Sequence, residues 1–378
     1  MSLIQHIEIH DDTDSAGDEL KPGSQLLHGQ YTIERYLSAG GFGITYLARD
    51  SLERRVVIKE CFLSSICRRS HAVVYPRSRA YSKEMAAVVS LFLREARSLA
   101  KLVHPNIVGV HEVFEDNGTA YMALDFVTGR DLQEVMADPA TALSPTEIRS
   151  VLIKLLDAVQ FIHDRGMLHR DISPDNVLLD ANRNPILIDF GAAHDQDNAN
   201  PASPALSTLR VVKDGYSPQE LYVVGSENGP WSDLYALAAT IYRLVAGEPP
   251  PNGQLRLAAV AGATNDPYVP LAGRFPAYDE PFLAAIDKSL QVLPKNRIQT
   301  ARDWREMITA PVPKTGSVVE LPPSKAGVKS AKQAAPQPER VAPAAKPATA
   351  KAPTMQPVPF LMGGAAAMVA VLGLLVLT

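Results

Sequence analysis

The stretch HRDISPDNVLLDANRNPILIDFG, which runs from His169 to Gly191, decides the fold of this 378-residue chain. It contains the carboxylate of Asp171, the side-chain amide of Asn176 five residues later, and the carboxylate of Asp189 after a short apolar segment. A proton acceptor and two oxygen ligands for a metal ion at this spacing are typical of a phosphoryl-transfer site. The alternative is a charged turn between two strands, which would not require this many particular residue types at fixed positions.

Length and composition agree with a large catalytic domain that carries additional tails. The chain is too long for one average domain, and its 46% hydrophobic content is enough for a substantial core. A net charge of −4 gives no global basic surface, so nucleic acid is not a predicted partner. The two cysteines, Cys61 and Cys67, argue against a disulfide framework or a Cys-rich zinc site.

A glycine-rich turn between two short predicted strands, at residues 31–33 and 46–48, precedes the deciding stretch. Glycines lack side chains, so their backbone amides can approach phosphate oxygens closely. Alone this signal is weak, because many hairpins are rich in glycine. Together with the later motifs it predicts a lid over nucleotide phosphates, formed by Ser38, Ala39, Gly40, Gly41, Phe42, Gly43 and Thr45.

Lys59 ends a β-branched run, and in this order of motifs it is predicted to bind the α and β phosphates under the lid. An anionic partner should hold its ammonium. Glu95, in the amphipathic run at residues 91–102, is the favoured candidate, and Glu84 is the alternative. The long segment between Lys59 and this amphipathic run, residues 61–90, is either a solvated insertion or a docking surface formed by four arginines, which are Arg68, Arg69, Arg77 and Arg79.

With these motifs the chain resembles the bacterial Hanks-type (eukaryotic-like) serine/threonine protein kinases, in the variety with a carboxy-terminal transmembrane anchor. The resemblance covers about residues 31–308. It implies an α+β, bilobal kinase fold, with a small β-rich lobe to about residue 124, a helical lobe to about residue 310, and ATP between them. It also implies that Asp171 orients the substrate hydroxyl and accepts its proton, while Asn176 and Asp189 hold Mg²⁺.

The resemblance implies further roles around the nucleotide and in the scaffold. The adenine would bind backbone groups of the hinge around Asp125 and Val127, with Val57 above the ring and Leu178 beneath it. Two other positions are expected to be structural. Glu220 would pair with a buried arginine, for which the candidate is Arg297, and Asp233 would support the catalytic loop.

Three residues depart from the family's pattern. Ser38 stands where the first lid glycine is usual, and Val57 replaces a small residue over the adenine. Ser173 stands where most of these kinases carry a lysine that touches the γ-phosphate. None of the three removes a metal ligand, the base or the strand lysine.

Control by phosphorylation is expected in the segment between Gly191 and Tyr216, since Arg170 beside the base could be positioned by a phosphate. The candidate sites, which are otherwise ordinary loop residues, are Ser203, Ser207 and Thr208.

The two ends of the chain have compositions unlike that of the middle. Residues 1–30 are predicted to form an acidic disordered arm, and the Pro/Ala/Lys-rich residues 311–357 a disordered linker. Residues 358–378 are predicted to form one transmembrane helix, because the uncharged run from Phe360 to Thr378 would be roughly 28 Å long. Gly363 and Ala367 offer a small-residue contact for a possible homodimer.

The leading hypothesis is an ATP-dependent serine/threonine protein kinase that phosphorylates protein hydroxyls and itself. Lys346 and Lys351 precede the apolar run, which predicts a single-pass protein of the bacterial inner membrane with its kinase domain in the cytoplasm. A stimulus would then act inside the cell or through helix association. A pseudokinase that binds ATP as a scaffold is the main alternative. A small-molecule kinase is disfavoured by Ser217, Pro218 and their neighbours, which resemble a peptide-binding shelf.

Overall fold

A computed structural model describes residues 17–41, 43–190, 212–223 and 225–310. The first part of this region forms a small lobe built on one antiparallel sheet, and the second part forms a larger, helical lobe. The predicted kinase-type α+β architecture is therefore present over the described residues. The linker and the transmembrane segment, residues 311–378, lie outside them.

The small-lobe sheet has six strands in the order β1-β2-β3-β4-β8-β7. A separate two-stranded hairpin, β5-β6, lies between β4 and helix α1 in the chain. The six-stranded sheet and the hairpin have the bounds β1 Gln25–Leu26, β2 Tyr31–Gly40, β3 Gly43–Asp50, β4 Arg55–Glu60, β5 Cys67–Ser70, β6 Val73–Pro76, β7 Val110–Asp116 and β8 Thr119–Asp125.

The glycine-rich turn is a tight hairpin, because Gly40 at the end of β2 pairs with Gly43 at the start of β3. Both strands run further into the turn than the sequence predicts. Gly43 is required by close packing: a Cβ atom there would lie 1.9 Å from the main-chain oxygen of Glu60. The hairpin therefore depends on glycine for contact with the neighbouring strand as well as for its turn.

The predicted acidic arm is described from Gly17 onward, and this part packs against the small lobe. Leu20 and Leu26 are buried, and β1 pairs with β2. The guanidinium of Arg69 donates to the main-chain oxygen of Asp18. Disorder up to residue 30 is thus wrong for these residues, because two apolar side chains secure them to the sheet.

Through Arg69, the long insertion contributes to the buried interior of the small lobe. Arg69 lies on β5, and its guanidinium binds the fully buried carboxylate of Glu60 at 2.5 Å. The hydroxyls of Tyr46 and Tyr121 also donate to Glu60, each at 2.8 Å. A buried carboxylate needs such partners, so Arg69 serves packing and is not part of an exposed docking surface.

Helix α1, Ser82–Leu99, packs on the sheet through its apolar face and is followed by a segment that contacts the large lobe. In that segment the main-chain nitrogen of Val108 donates to the oxygen of Leu187 at 3.0 Å. The side-chain amide of Asn106 donates to the oxygen of Pro185 at 2.7 Å. These bonds connect the small lobe to the strand that precedes Asp189.

The large lobe has a helical core and a small three-stranded sheet of order β11-β10-β9. Helix α3 begins at a capping box in which Ser144 and Glu147 satisfy each other's backbone. The elements are β9 Gly129–Asp131, α2 Leu132–Ala137, α3 Pro145–His163, β10 Val177–Asp180, β11 Pro185–Leu187, α4 Pro230–Ala246, α5 Gly253–Ala261, α6 Glu280–Ser289 and α7 Ala301–Thr309. Short 3₁₀ turns include Pro174–Asn176 and Gln219–Tyr222.

Asp233, in the first turn of α4, holds the catalytic loop. Its carboxylate accepts from the main-chain nitrogens of His169 and Arg170, both at 2.8 Å, and lies 2.9 Å from the ring of His163. Burial alone would raise the pKa of Asp233, but these hydrogen bonds outweigh it and the pKa is lowered. These hydrogen bonds attach the backbone of His169 and Arg170 to the start of α4.

Glu220 and Arg297 form a buried, bidentate ion pair in the large lobe, with distances of 2.5 and 3.0 Å. Ser232 at the start of α4 also donates to Glu220, at 2.9 Å. The ion pair therefore links the 3₁₀ turn Gln219–Tyr222 to the segment that precedes α7.

No helix among the residues that the structure describes is long and apolar enough to cross a membrane. The predicted spanning segment, residues 358–378, is not among them.

Replacing Arg69 by Met should destabilise the protein by about 3 to 5 kcal/mol, because Glu60 would remain buried without its charged partner. Chemical denaturation followed by circular dichroism measures this change. Arg68→Met is the matched control, since Arg68 is the exposed neighbour on the same strand. Equal stability of the two variants would contradict a structural role for Arg69.

Replacing Asp233 by Asn should lower stability by about 3 kcal/mol, because an amide cannot accept from both backbone N–H groups while facing His163. Thermal unfolding compares it with Asp164→Asn, which alters an exposed residue at the end of α3. Unchanged unfolding of Asp233→Asn would show that the loop does not depend on this carboxylate.

Candidate active site

Lys59 and Asp189 bring the two lobes together at one point. Lys59 lies on β4, and its Nζ is 2.8 Å from Asp189 Oδ1, in the residues that follow β11. Although burial alone would lower the pKa of Lys59, the Asp189 carboxylate raises it, and the Lys59 charge in turn lowers the pKa of Asp189. Both groups are therefore held in their charged forms.

Glu95, the predicted partner of Lys59, lies on the buried face of α1. Its negative charge is near enough to contribute to the raised pKa of Lys59, after the larger effect of Asp189. The carboxylate that hydrogen-bonds Lys59 is that of Asp189. Glu84, the alternative candidate, is in the first turn of α1, about three turns away from Glu95 along the helix.

Asp171 lies beside Asn176, and the amide Nδ2 of Asn176 donates to its Oδ2 at 2.8 Å and to its main-chain oxygen at 2.7 Å. Burial raises the pKa of Asp171 to about 6, against the opposing charge of Lys213 and the hydrogen bond from Asn176. A carboxylate with a raised pKa is a better proton acceptor than an exposed one and is still ionised at neutral pH.

Asn176 and Asp189 have the oxygen donors that a magnesium ion requires. Because the Asn176 amide nitrogen donates to Asp171, its Oδ1 remains as the ligand, and no described residue donates to that atom. Asp189 uses Oδ1 for Lys59, which leaves Oδ2, and its side chain is 41% exposed. Hard oxygen ligands of this kind fit the predicted Mg²⁺ site.

His169 connects the loop before Asp171 to the segment that holds Asp189. Its Nε2 lies 3.1 Å from the main-chain oxygen of Ile188, and its ring contacts Phe190 at a centroid distance of 4.4 Å. Burial lowers the pKa of His169 to about 4, so the ring is neutral at physiological pH. The neutral ring therefore packs between the loop that carries Asp171 and the segment that carries Asp189.

The backbone is strained at two positions of the site. Arg170 has φ +66° and Asp189 has φ +54°, in a region that side-chain-bearing residues rarely adopt. Hydrogen bonds to neighbouring residues hold this region, including the one from Arg170 to Asp233. Such strain is concentrated at functional sites, where it orients a reacting group.

The residues predicted around the adenine lie where the sheet meets the large lobe. Val57 on β4 pairs in register with Leu124 on β8, next to Asp125 at the end of that strand. Asp125 is exposed, and its main-chain nitrogen donates to Gly109, so one backbone group of this residue is already in use. Val127 lies two residues after Asp125, and Leu178 lies on β10 with a half-buried side chain.

The lid residues of β2, Ser38, Ala39 and Gly40, are exposed, as is Gly41. Thr45 lies on β3 directly opposite Lys59 in register. Phe42 lies outside the described residues, as do the candidate phosphorylation sites Ser203, Ser207 and Thr208.

Lys213 is the site residue that the sequence analysis missed. Its Nζ lies 3.2 Å from Asp171 Oδ2 and 2.8 Å from Ser173 Oγ. The serine at position 173, in place of a lysine, was a sign in the sequence that the site needs a positive charge from elsewhere. The sequence did not indicate that this charge comes from a lysine 40 residues later in the chain.

Comparison with known proteins agrees with this geometry. Residues 31–307 match the protein kinase domain family. The chain is 29% identical over 309 residues to the serine/threonine-protein kinase PknA of Nostoc sp., a match that covers 79% of this chain and 49% of that protein. It is 31% identical over 226 residues to PknF of Mycobacterium tuberculosis, covering 58% of this chain and 43% of that protein. The chain thus spans about half the length of these curated relatives.

A solved structure described as "PpkA-294 apo form" is similar in fold, with a TM-score of 0.66 and 34% identity. The similarity covers 77% of this chain and all of that chain. The family match extends over more than half of the sequence, and it contains all four residues that the structure gathers at the site, Lys59, Asp171, Asn176 and Asp189. The chain therefore belongs to the protein kinase family.

Proposed function

We propose that this chain is an ATP-dependent serine/threonine protein kinase that transfers the γ-phosphoryl group to protein hydroxyls, including its own. The observation that carries the proposal is that Lys59 of the small lobe meets Asp189 of the large lobe, close to a second pair that Asp171 and Asn176 form in the large lobe. Lys59 meets Asp189 at 2.8 Å, and Asn176 meets Asp171 at 2.8 Å. The curated relatives, which are named serine/threonine-protein kinases, support the same chemistry.

The chain's own residues supply position and charge for the transfer. Lys59 would bind the phosphates on the inner side of the sheet, while backbone amides of the lid hairpin contact their oxygens. Asp189 keeps Lys59 in place through their ion pair. Since phosphoryl transfer depends mainly on orientation and neutralisation of charge, this set needs no covalent nucleophile.

Asp171 would orient the acceptor hydroxyl and take its proton. Asn176 holds the Asp171 carboxylate by hydrogen bonds to its side chain and main chain, so the base has one orientation. Asn176 Oδ1 and the carboxylate of Asp189 would hold magnesium, which neutralises negative charge on the phosphates when bound.

We also propose that residues 358–378 attach the kinase to the cytoplasmic face of a bacterial inner membrane, with possible pairing of two helices. The support is the uncharged composition of Phe360 to Thr378 and the lysines that precede it.

Full-length protein with ATP, Mg²⁺ and a generic acceptor protein should incorporate phosphate, and Lys59→Met, Asp171→Asn and Asp189→Asn should each lower kcat by about 10²-fold or more. Incorporation of labelled phosphate measures this, and mass spectrometry places phosphates formed on the chain itself, with Ser203, Ser207 and Thr208 as the candidates.

Lys288→Met and Asp164→Asn, at exposed positions, are matched controls. Binding of ATP without any transfer by the unaltered chain would favour an ATP-responsive scaffold.

For the membrane proposal, Val369→Asp should release the protein from carbonate-washed membranes, because a charge at the helix centre costs about 3 kcal/mol on insertion. Val369→Leu should stay in the membrane fraction. Equal retention of both variants would show that the apolar run does not span the bilayer.

A further inference from the structure

Lys213 carries a positive charge beside Asp171 that the proposed mechanism has not used. Its Nζ lies 2.8 Å from Ser173 Oγ, 2.9 Å from Asp175 Oδ2 and 3.2 Å from Asp171 Oδ2. Building on the function proposed above, we propose that Lys213 is a catalytic residue whose ammonium binds the γ-phosphoryl group of ATP during transfer. It would supply there the positive charge that Ser173 lacks.

The backbone around Lys213 is well held. Its main-chain nitrogen donates to Ser217 Oγ at 2.8 Å, and its main-chain oxygen accepts from the nitrogens of Tyr216 and Ser217. Tyr216 and Ser217 are buried, and the Lys213 side chain is only 25% exposed. The ammonium is therefore preorganised in the site, unlike that of a lysine on a free surface.

The position of this ammonium relative to the base points to the phosphoryl group. A hydroxyl that gives its proton to Asp171 must lie within hydrogen-bond reach of that carboxylate, and the phosphorus it attacks must lie next to the hydroxyl oxygen. A cation that contacts the Asp171 carboxylate is thus close to the developing charge on the phosphoryl oxygens. The contact with Asp171 is the longest of the three that Lys213 makes, so it is the one that a phosphoryl oxygen can most easily replace.

Ser173 is complementary to Lys213. It is fully buried, donates to Asp175 Oδ1 at 2.6 Å, and accepts from the Lys213 ammonium. A lysine at position 173 would place a second ammonium against the first, and two like charges this close repel strongly in a site with little water. The site therefore has room for one lysine, and in this chain that lysine comes from position 213.

The proposed step balances without a further reactant. The bond between the γ-phosphorus and the oxygen that bridges it to the β-phosphorus breaks, and its electron pair leaves with ADP. The acceptor hydroxyl oxygen forms the new bond to phosphorus, and its proton passes to the Asp171 carboxylate. Lys213 stays protonated throughout and only offsets charge on the phosphoryl oxygens.

The test compares Lys213→Gln with Lys288→Gln, a lysine on the exposed side of α6, in the full-length protein. Lys213→Gln should lower kcat by about 10²-fold, the usual effect of removing one charge-stabilising donor, while Lys288→Gln should not. Calorimetric titration with ADP and with the imido analogue of ATP gives a second readout. Lys213→Gln should weaken the analogue by about tenfold and leave ADP unchanged, because only the analogue carries a γ-phosphate.

A relocated lysine provides the rescue. The double variant Ser173→Lys, Lys213→Ser should recover at least tenfold of the kcat lost in Lys213→Ser, and it should bind the analogue more tightly than Lys213→Ser does. Circular dichroism confirms that each variant is folded.

A kcat of Lys213→Gln within threefold of that of the unaltered chain, or an equal loss of ADP and analogue binding, would overturn the role of Lys213. If the unaltered chain transfers no phosphate, the proposed function fails, and the two titrations alone decide whether Lys213 binds the γ-phosphate.

Discussion

A charge taken out of water must find a partner, and this requirement organises both lobes of the kinase. In the small lobe the carboxylate of Glu60 is fully buried, and Arg69 from the inserted hairpin neutralises it. In the large lobe Asp233 is buried in the same way, and its partners are the backbone of the catalytic loop and His163. Glu60 thereby attaches the inserted hairpin to β4, and Asp233 attaches the catalytic loop to α4.

The catalytic groups follow from that arrangement. With Asp233 holding the loop, Arg170 adopts a strained backbone conformation and Asp171 faces Asn176. His169 spans from this loop to Ile188, so that Asp189 is positioned against Lys59 of the other lobe. At the contact between Lys59 and Asp189, the strand lysine lies close to the residues that we propose as a metal ligand and as the base. Two rigid elements, β4 and α4, therefore determine the geometry of a site whose residues lie mostly on loops.

The positive charge beside Asp171 comes from Lys213 and not from the catalytic-loop position that Ser173 occupies. The chain has a serine in the catalytic loop and a lysine in the segment before Tyr216, and the folded protein brings them within 2.8 Å. The site therefore keeps a positive charge although the catalytic loop has no lysine at position 173. This observation weakens the reading of Ser173 as a sign of reduced activity.

The sequence by itself predicted the protein kinase fold, and it selected Lys59, Asp171, Asn176 and Asp189 as site candidates, because these residue types and spacings suit the chemistry of phosphoryl transfer. It also indicated Asp233 and the pairing of Glu220 with Arg297, since both lie in recognisable segments. It did not indicate that residues 18–30 pack on the sheet, that Arg69 neutralises Glu60, or that Lys213 lies beside Asp171. Those contacts depend on how separate elements pack against one another, and local composition or spacing carries no information about them. Only the tertiary structure decided them, because a buried charge takes whichever partner the fold brings within hydrogen-bonding distance.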